Sequence, residues 1–149
     1  MRMNETKHIL ALPFFMIFLL ALLGVPRVIA HDLQLVEPGS FANSLLAIIP
    51  PLIWLAFVIW KGISPFKPLV YIGVFYGVLL GITHQILWGV AFETAPTLGG
   101  NLSDLPPLAH SLITRVFGFV SSVLTGTLLG VIVGFVGLFI YLIRNKTRK

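Results

Sequence analysis

The residue of this chain best suited to chemistry is His84, which stands between Thr83 and Gln85 inside a long apolar stretch. An imidazole can relay protons or bind a metal ion. Counted from Phe92, where the stretch ends, His84 lies about 12 Å inside a helix. Ionisable residues at such depth in a membrane segment usually face the protein interior and often mark a pathway or a site.

A structural role for His84 needs only a hydrogen-bond partner on a neighbouring helix. At the same depth the last apolar stretch presents three hydroxyl side chains, Ser121, Ser122 and Thr125. We expect His84 to bond one of them. Interhelical hydrogen bonds of this kind contribute about 0.6 kcal/mol on average, so the contact would fix helix register without any further function.

A transport or proton-relay role for His84 is the main functional alternative. The second apolar stretch carries Pro50-Pro51 near its middle, and two prolines remove backbone donors and predict a kink or break. Broken helices often line binding sites in transporters. Against this role, the predicted spans contain no Asp or Glu to couple ion movement.

Metal binding is a second alternative, with His31, Asp32 and His110 as candidate ligands near the outer ends of the spans. His84 is expected about 12 Å deeper, so one metal shell does not include it. A bis-histidine haem site would need a second histidine at the depth of His84. The spacing of these residues is not that of a known metal site, so we expect no cofactor, with metal or haem binding left open.

Intramembrane hydrolysis by a Ser–His pair is the remaining option, because Ser121 and Ser122 match the depth of His84. The sequence offers no orienting acid or oxyanion-hole motif beside them. The chain is therefore predicted not to be an enzyme.

Four long apolar stretches must position these residues. They run over 9–30, 41–60, 68–92 and 108–143 of the 149 residues, and each reaches the roughly 20 residues that a helix needs to cross a bilayer. The chain is 57% hydrophobic and 10% charged, against about 25% charged residues in soluble domains. The sequence predicts an all-α membrane protein, one domain built as an antiparallel bundle of four transmembrane helices.

Small residues recur at every fourth position in the last two stretches. Such ridges let two helix backbones approach closely in lipid, so we expect the two helices to face each other or to mediate a dimer. The ridges consist of Gly73, Gly77, Gly81, Gln85 and Gly89 in the third stretch and of Gly118, Ser122, Gly126, Gly130 and Gly134 in the fourth.

The charges predict the orientation in the membrane. Most of the ten Lys and Arg residues lie in three segments that the four spans place on one side, which by the positive-inside rule is the cytoplasm. Both termini are then cytoplasmic, and the membrane is expected to be a bacterial cytoplasmic membrane. Arg27 and Arg115 remain on the other side, near span ends where long side chains can reach the interface. The net charge of +5 is thus explained by topology, and nucleic acid is not an expected partner.

Residues 1–30 also have the parts of a secretory signal: a basic start, an apolar run and a small-residue end at Ala30. Arg27 within the cleavage region and the even span count favour retention of this segment. Cleavage would instead leave His31 as the first residue, and its free amine and imidazole could then chelate copper.

The size and four-span layout are similar to those of small multidrug-resistance transporters, but these depend on a carboxylate in the first span, and Ile9–Ala30 has none. Four-span redox carriers of the disulfide-forming type are excluded because the chain has no cysteine. Packing motifs outnumber polar residues within the spans. We therefore expect a non-enzymatic accessory or assembly subunit of a membrane complex, surrounded by lipid and bound to another membrane protein or to its own copies.

Overall fold

The computed structural model describes residues 12–92 and 96–147, and the regular structure in these ranges is entirely helical. Four segments are long and apolar enough to cross a membrane, the first of them formed by two consecutive helices. This confirms the all-α class and the four apolar spans. The helices are α1 (Phe14–Leu22), α2 (Val25–Asp32), α3 (Phe41–Trp60), α4 (Phe66–Ala91) and α5 (Pro107–Lys146).

The predicted span bounds are close to the observed ones for α3, α4 and α5. The first span differs, because its helical structure continues past Ala30 to Asp32. Its predicted start at Ile9 lies outside the described residues. The two additional residues matter, since they are His31 and Asp32.

The first span is interrupted between α1 and α2 at Leu23 and Gly24. Pro26, in the first turn of α2, has no N–H to donate to the carbonyl four residues earlier. Gly24 packs directly against the ring of Tyr76, and a Cβ at this position would come within 2.7 Å of the Tyr76 Cδ2 atom. The indole N–H of Trp54 donates to the Leu20 carbonyl at 2.6 Å, so α3 satisfies a backbone group beside the interruption.

The second span does not break at Pro50-Pro51. Helix α3 runs without interruption from Phe41 to Trp60 with both prolines inside it. Of the kink or break expected at this position, the break does not occur, and the interruption among the described spans lies at Gly24. The hydroxyl of Ser40 caps α3 by accepting from the Asn43 backbone N–H at 3.2 Å, as is usual for an N-terminal serine.

The glycine ridges of α4 and α5 face each other within one chain. A Cβ on Gly73 would lie 2.5 Å from the Gly126 carbonyl oxygen and 2.6 Å from the Gly130 Cα atom. A Cβ on Gly77 would lie 2.7 Å from the Val123 carbonyl oxygen. The two backbones are therefore in direct contact, as the four-residue spacing predicted. Gly81 packs on the ring of Phe119, and Gly134 on that of Phe66.

The buried core lies where α1, α2 and α3 pack against α4. Ile17, Ala21, Trp54, Leu69 and Ile72 are each at most 1% exposed. Large apolar side chains remain exposed along the outer faces of the helices, particularly on α5. An apolar outer surface of this extent suits contact with lipid rather than water.

Candidate functional site

The main polar site of the described residues is built around Asp32, at the end of α2. Its side chain is only 1% exposed. One carboxylate oxygen lies 2.5 Å from His84 Nδ1 on α4, and the other lies 3.2 Å from His31 Nδ1. Both carboxyl oxygens of Asp32 therefore contact an imidazole, and α2 and α4 are joined by a hydrogen bond between Asp32 and His84.

This arrangement corrects two expectations. The first span does contain a carboxylate, because its helix extends to Asp32. His31 and His84 are also not held apart by depth, since they contact the same side chain. The predicted separation assumed that the first span ends at Ala30 and that His31 lies outside it.

The hydroxyl groups expected to bond His84 make other contacts. Ser122 donates to the Gly118 carbonyl at 2.8 Å, and Thr125 donates to the Ser121 carbonyl at 2.8 Å, both within α5. The expected hydroxyl partner of His84 is therefore wrong, because a carboxylate is available as a stronger acceptor.

Ser121, Ser122 and Thr125 nonetheless lie near His84, because they line the same cavity. Its volume is about 230 Å³. Helix α2 contributes Arg27, Val28 and His31 to the lining, α4 contributes Leu80 and His84, and α5 contributes the three hydroxyl residues. Ser121, Ser122 and Thr125 thus belong to the site without bonding its imidazole.

Arg27 is partly buried and lines the polar cavity, five residues before α2 ends at Asp32. Its neighbours Leu80 and His84 are 11 and 7 residues from the end of α4 at Ala91, or about 10–17 Å along the helix. The Arg27 Nε atom is buried and has no hydrogen-bond partner among the described residues. A charged group so placed needs a partner or a water-filled space.

A second polar contact joins α4 and α5 one residue beyond His84. The Gln85 side-chain amide donates to the Arg115 carbonyl at 3.0 Å, and the Arg115 guanidinium donates to the Gln85 side-chain oxygen at 3.4 Å. The guanidinium also lies 5.0 Å from the centre of the Trp88 ring, within the range of a cation–π contact. Thr83 bonds the Leu79 carbonyl of its own helix.

His84 also lines a second cavity of about 380 Å³, between the C-terminal part of α4 and the N-terminal part of α5. This cavity is mainly apolar, with Trp88, Phe92 and Phe117 among its lining residues. His84 therefore lies between a polar cavity and an apolar one.

The candidate metal ligands are not brought together. The described residues contain no group of three or more His, Asp or Glu side chains that could hold a metal ion. His110 accepts a hydrogen bond from the Leu98 backbone N–H at 2.9 Å, whereas His31 and Asp32 contact each other and His84. The structure therefore places His31 and Asp32 together and His110 in a separate contact.

The acid that a Ser–His hydrolase would need is present as Asp32, although the predicted spans did not include it. Within the described residues, however, neither Ser121 nor Ser122 donates a hydrogen bond to His84. A nucleophile activated by that imidazole is therefore not assembled here.

Sequence reasoning missed Asp32 as the partner of His84 and missed Arg27 altogether as a site residue. One signal was available. Arg27 and His31 are four residues apart, so a helix places them on the same face. Extending the first helix by two residues would have added Asp32 beside them.

The fold and site define a class: a bundle of four apolar, membrane-compatible helices with a buried carboxylate–imidazole pair. Comparison with protein-family models, with curated proteins and with solved structures finds no match to this chain.

Proposed function

We propose that this protein is a non-enzymatic, multi-pass component of a bacterial cytoplasmic membrane that moves protons, alone or together with a small solute. The observation that carries the proposal is the buried carboxylate of Asp32 bonded to His84 on another helix. Ionisable groups inside membrane bundles commonly serve as relays or coupling sites. Asp32 supplies the carboxylate whose absence from the predicted spans had weighed against transport.

The exposure of the three groups also suits proton movement, because a buried carboxylate lies between two partly exposed imidazoles. The side chain of His31 is 47% exposed, that of Asp32 is 1% exposed and that of His84 is 29% exposed. The three groups form a continuous hydrogen-bonded chain from an accessible imidazole, through a buried carboxylate, to an imidazole that lines two cavities. Proton transfer along such a chain needs only small shifts of each proton.

The proposed topology is an antiparallel bundle with both termini in the cytoplasm. The contacts between α4 and α5 support an antiparallel arrangement. Gly73 contacts Gly130, and Gly77, which comes later in α4, contacts Val123, which comes earlier in α5. The positive-inside rule supplies the orientation. Retention of the first span is part of the proposal, supported by the bond from Trp54 to the Leu20 carbonyl.

The proposal is tested by proton flux into liposomes that contain the purified protein and an enclosed pH-sensitive dye. An inside-negative potassium diffusion potential drives protons inward. We expect acidification faster than in protein-free liposomes, and we expect Asp32→Asn and His84→Gln to abolish the difference. Asp104→Asn is the matched control, because Asp104 is an exposed loop carboxylate, and it should keep the wild-type rate.

A wild-type rate equal to that of protein-free liposomes would refute this function. It would favour the second candidate, an accessory or assembly subunit of a membrane complex. The observation behind that candidate is helix α3, in which only Pro50, Trp54 and Val58 are buried. Its exposed face includes Phe41 and Trp60, at 78% and 74% exposed, and would contact lipid, another membrane protein or a second copy. A co-purifying polypeptide in a native mass spectrum supports that candidate. Neither candidate involves nucleic acid.

A further inference from the structure

The cavity beside His84 combines features that point to a ligand of defined charge. Its lining includes one permanent cation, Arg27, two imidazoles and several hydroxyl groups. Asp32 is not among the lining residues; its side chain is buried and contacts both imidazoles. The Ser122 and Thr125 hydroxyls donate to carbonyls of α5, so the positive charge and the main free hydrogen-bond donors of the cavity come from Arg27.

Arg27 supplies the second, independent observation. Its Nε atom is buried and unpartnered in the described part of the chain, and no described carboxylate lies within 4.0 Å of its guanidinium. Asp32 is the nearest acid along the helix, yet both of its oxygens are taken by imidazoles. A guanidinium has a planar fork of donors that matches two oxygens of a carboxylate or phosphate. Arg27 thus lacks the partner that its chemistry favours.

We propose that this cavity binds a small free oxyanion, of the size of phosphate, sulfate or a short carboxylate, through Arg27 and the two imidazoles. The volume of about 230 Å³ lies below the usual 300–1,000 Å³ of sites for drug-sized ligands. It corresponds to about eight water molecules at about 30 Å³ each, which accommodates one such anion with some water.

The geometry also couples the anion to a proton. When Asp32 is a carboxylate it can only accept, and Nδ1–H of His31 and of His84 would then donate to it. The remaining nitrogen, Nε2, carries a hydrogen only when the imidazole is protonated. An oxyanion that accepts a bond from Nε2 therefore enters with a proton. The charged and titratable groups of α2 that contact or share this cavity with His84 are Arg27, His31 and Asp32, whereas α5 contributes hydroxyls.

A lipid phosphate is the other source of the same chemistry. Leu80 and His84 lie about 10–17 Å from the end of α4, which is deep for a headgroup. The polar cavity is also too small for acyl chains. These features favour a free ion, and the experiment separates the two sources.

In the proposed transport, the oxyanion is the solute that is carried, and this step rests on the proposed function. Binding of the anion in the cavity does not depend on transport. Binding is tested by ³¹P NMR saturation transfer between inorganic phosphate and the purified protein in phosphorus-free detergent. We expect saturable binding, weakened at least about tenfold by Arg27→Gln. Arg27→Lys keeps the charge but loses the planar fork, so its affinity should fall between the two. Arg144→Gln is the matched control, because Arg144 is exposed near the end of α5.

A second measurement remains informative if Arg27→Gln fails to fold. The chain has no cysteine, so Ser121→Cys places a single thiol in the cavity lining. Phosphate should slow the reaction of this thiol with a methanethiosulfonate reagent at constant ionic strength. Equal labelling rates with and without phosphate, or wild-type affinity in Arg27→Gln, would overturn the anion site. An anionic phospholipid that is retained through Arg27 and not displaced by phosphate would also overturn it.

Flux and binding can fail separately. Arg27-dependent phosphate binding without proton flux would leave the anion site standing and refute transport. Asp32-dependent proton flux without phosphate binding would refute the anion site and leave proton movement standing.

Discussion

Replacing Gly73 by alanine should weaken the contact between α4 and α5 on which the position of His84 depends. The added Cβ would lie 2.5 Å from the Gly126 carbonyl oxygen, 2.6 Å from the Gly130 Cα atom and 2.8 Å from the Gly130 nitrogen. All three atoms belong to the backbone, so no side chain can rotate away. Because ordinary contacts begin at 3.4 Å, the two helices must separate locally by about 0.9 Å.

Gly89→Ala provides a matched control on the same helix. Gly89 continues the four-residue spacing of Gly73, but beyond the adjacent backbone of its own helix no described atom lies within 4 Å of the position that its Cβ would occupy. Both substitutions gain about 1 kcal/mol of helix propensity, so their difference isolates packing. Overpacking of a close interface costs about 1–3 kcal/mol. The free energy of unfolding of Gly73→Ala should therefore fall below that of Gly89→Ala by about 1–3 kcal/mol.

The comparison can be measured by SDS titration in mixed micelles, with tryptophan fluorescence as the probe of unfolding. Gly73→Ala should unfold at a lower SDS fraction than Gly89→Ala, which should unfold at the same fraction as the wild type or at a higher one. Equal midpoints for the two variants would refute direct backbone contact between α4 and α5.

Three further predictions concern the site and its supports. Trp54→Phe removes the indole N–H that bonds the first span, and the free energy of unfolding should fall by about 1 kcal/mol. A double-mutant cycle of Asp32→Asn and His84→Gln should give a coupling energy of about 0.5–3 kcal/mol, because the two side chains are in direct contact. Single cysteines in place of Ser103 and Thr147 should react with a membrane-impermeant maleimide from opposite sides of the membrane, as the proposed topology requires.

Their controls use residues of the same type at exposed positions. Trp60 is 74% exposed, so Trp60→Phe should leave stability unchanged, and an equal loss in both tryptophan variants would contradict the role of the Leu20 bond. Asp104→Asn should show no coupling to His84→Gln, whereas additivity of Asp32→Asn and His84→Gln would contradict their contact. Labelling of both cysteines from one side would contradict the topology.

The spans and the glycine ridges could be predicted because they depend on local and periodic properties. Apolar runs of about 20 residues are long enough to cross a bilayer, and small residues at every fourth position lie on one helix face. Gly73 and Gly77 therefore contact α5 as their spacing indicated.

The partner of His84 could not be predicted from periodicity, because it depends on where the first helix ends. The observed and predicted ends of the first span differ by two residues. Helix α2 ends at Asp32, whereas the apolar run ends at Ala30. A polar residue at a span end lowers local hydropathy and yet becomes buried when another helix covers it.

The prolines of the second span do not break its helix, which was one of the two outcomes expected for them. Pro50-Pro51 removes two backbone donors, yet α3 remains one helix. A helix interruption occurs at Gly24 instead, where the ring of Tyr76 occupies the space that a Cβ would need. That contact joins the first and third spans and is not visible in either segment alone.

The contact between Asp32 and His84 is tested most directly by ¹⁵N NMR of histidine-labelled protein in lipid nanodiscs. The chain has four histidines, whose ring signals can be assigned by single His→Gln variants. Asp32→Asn should shift the ring nitrogen signals of His84 and His31, because it replaces the charged acceptor of both. Asp104→Asn should shift neither. An unchanged His84 signal in Asp32→Asn would contradict the paired site and the proton movement proposed to depend on it.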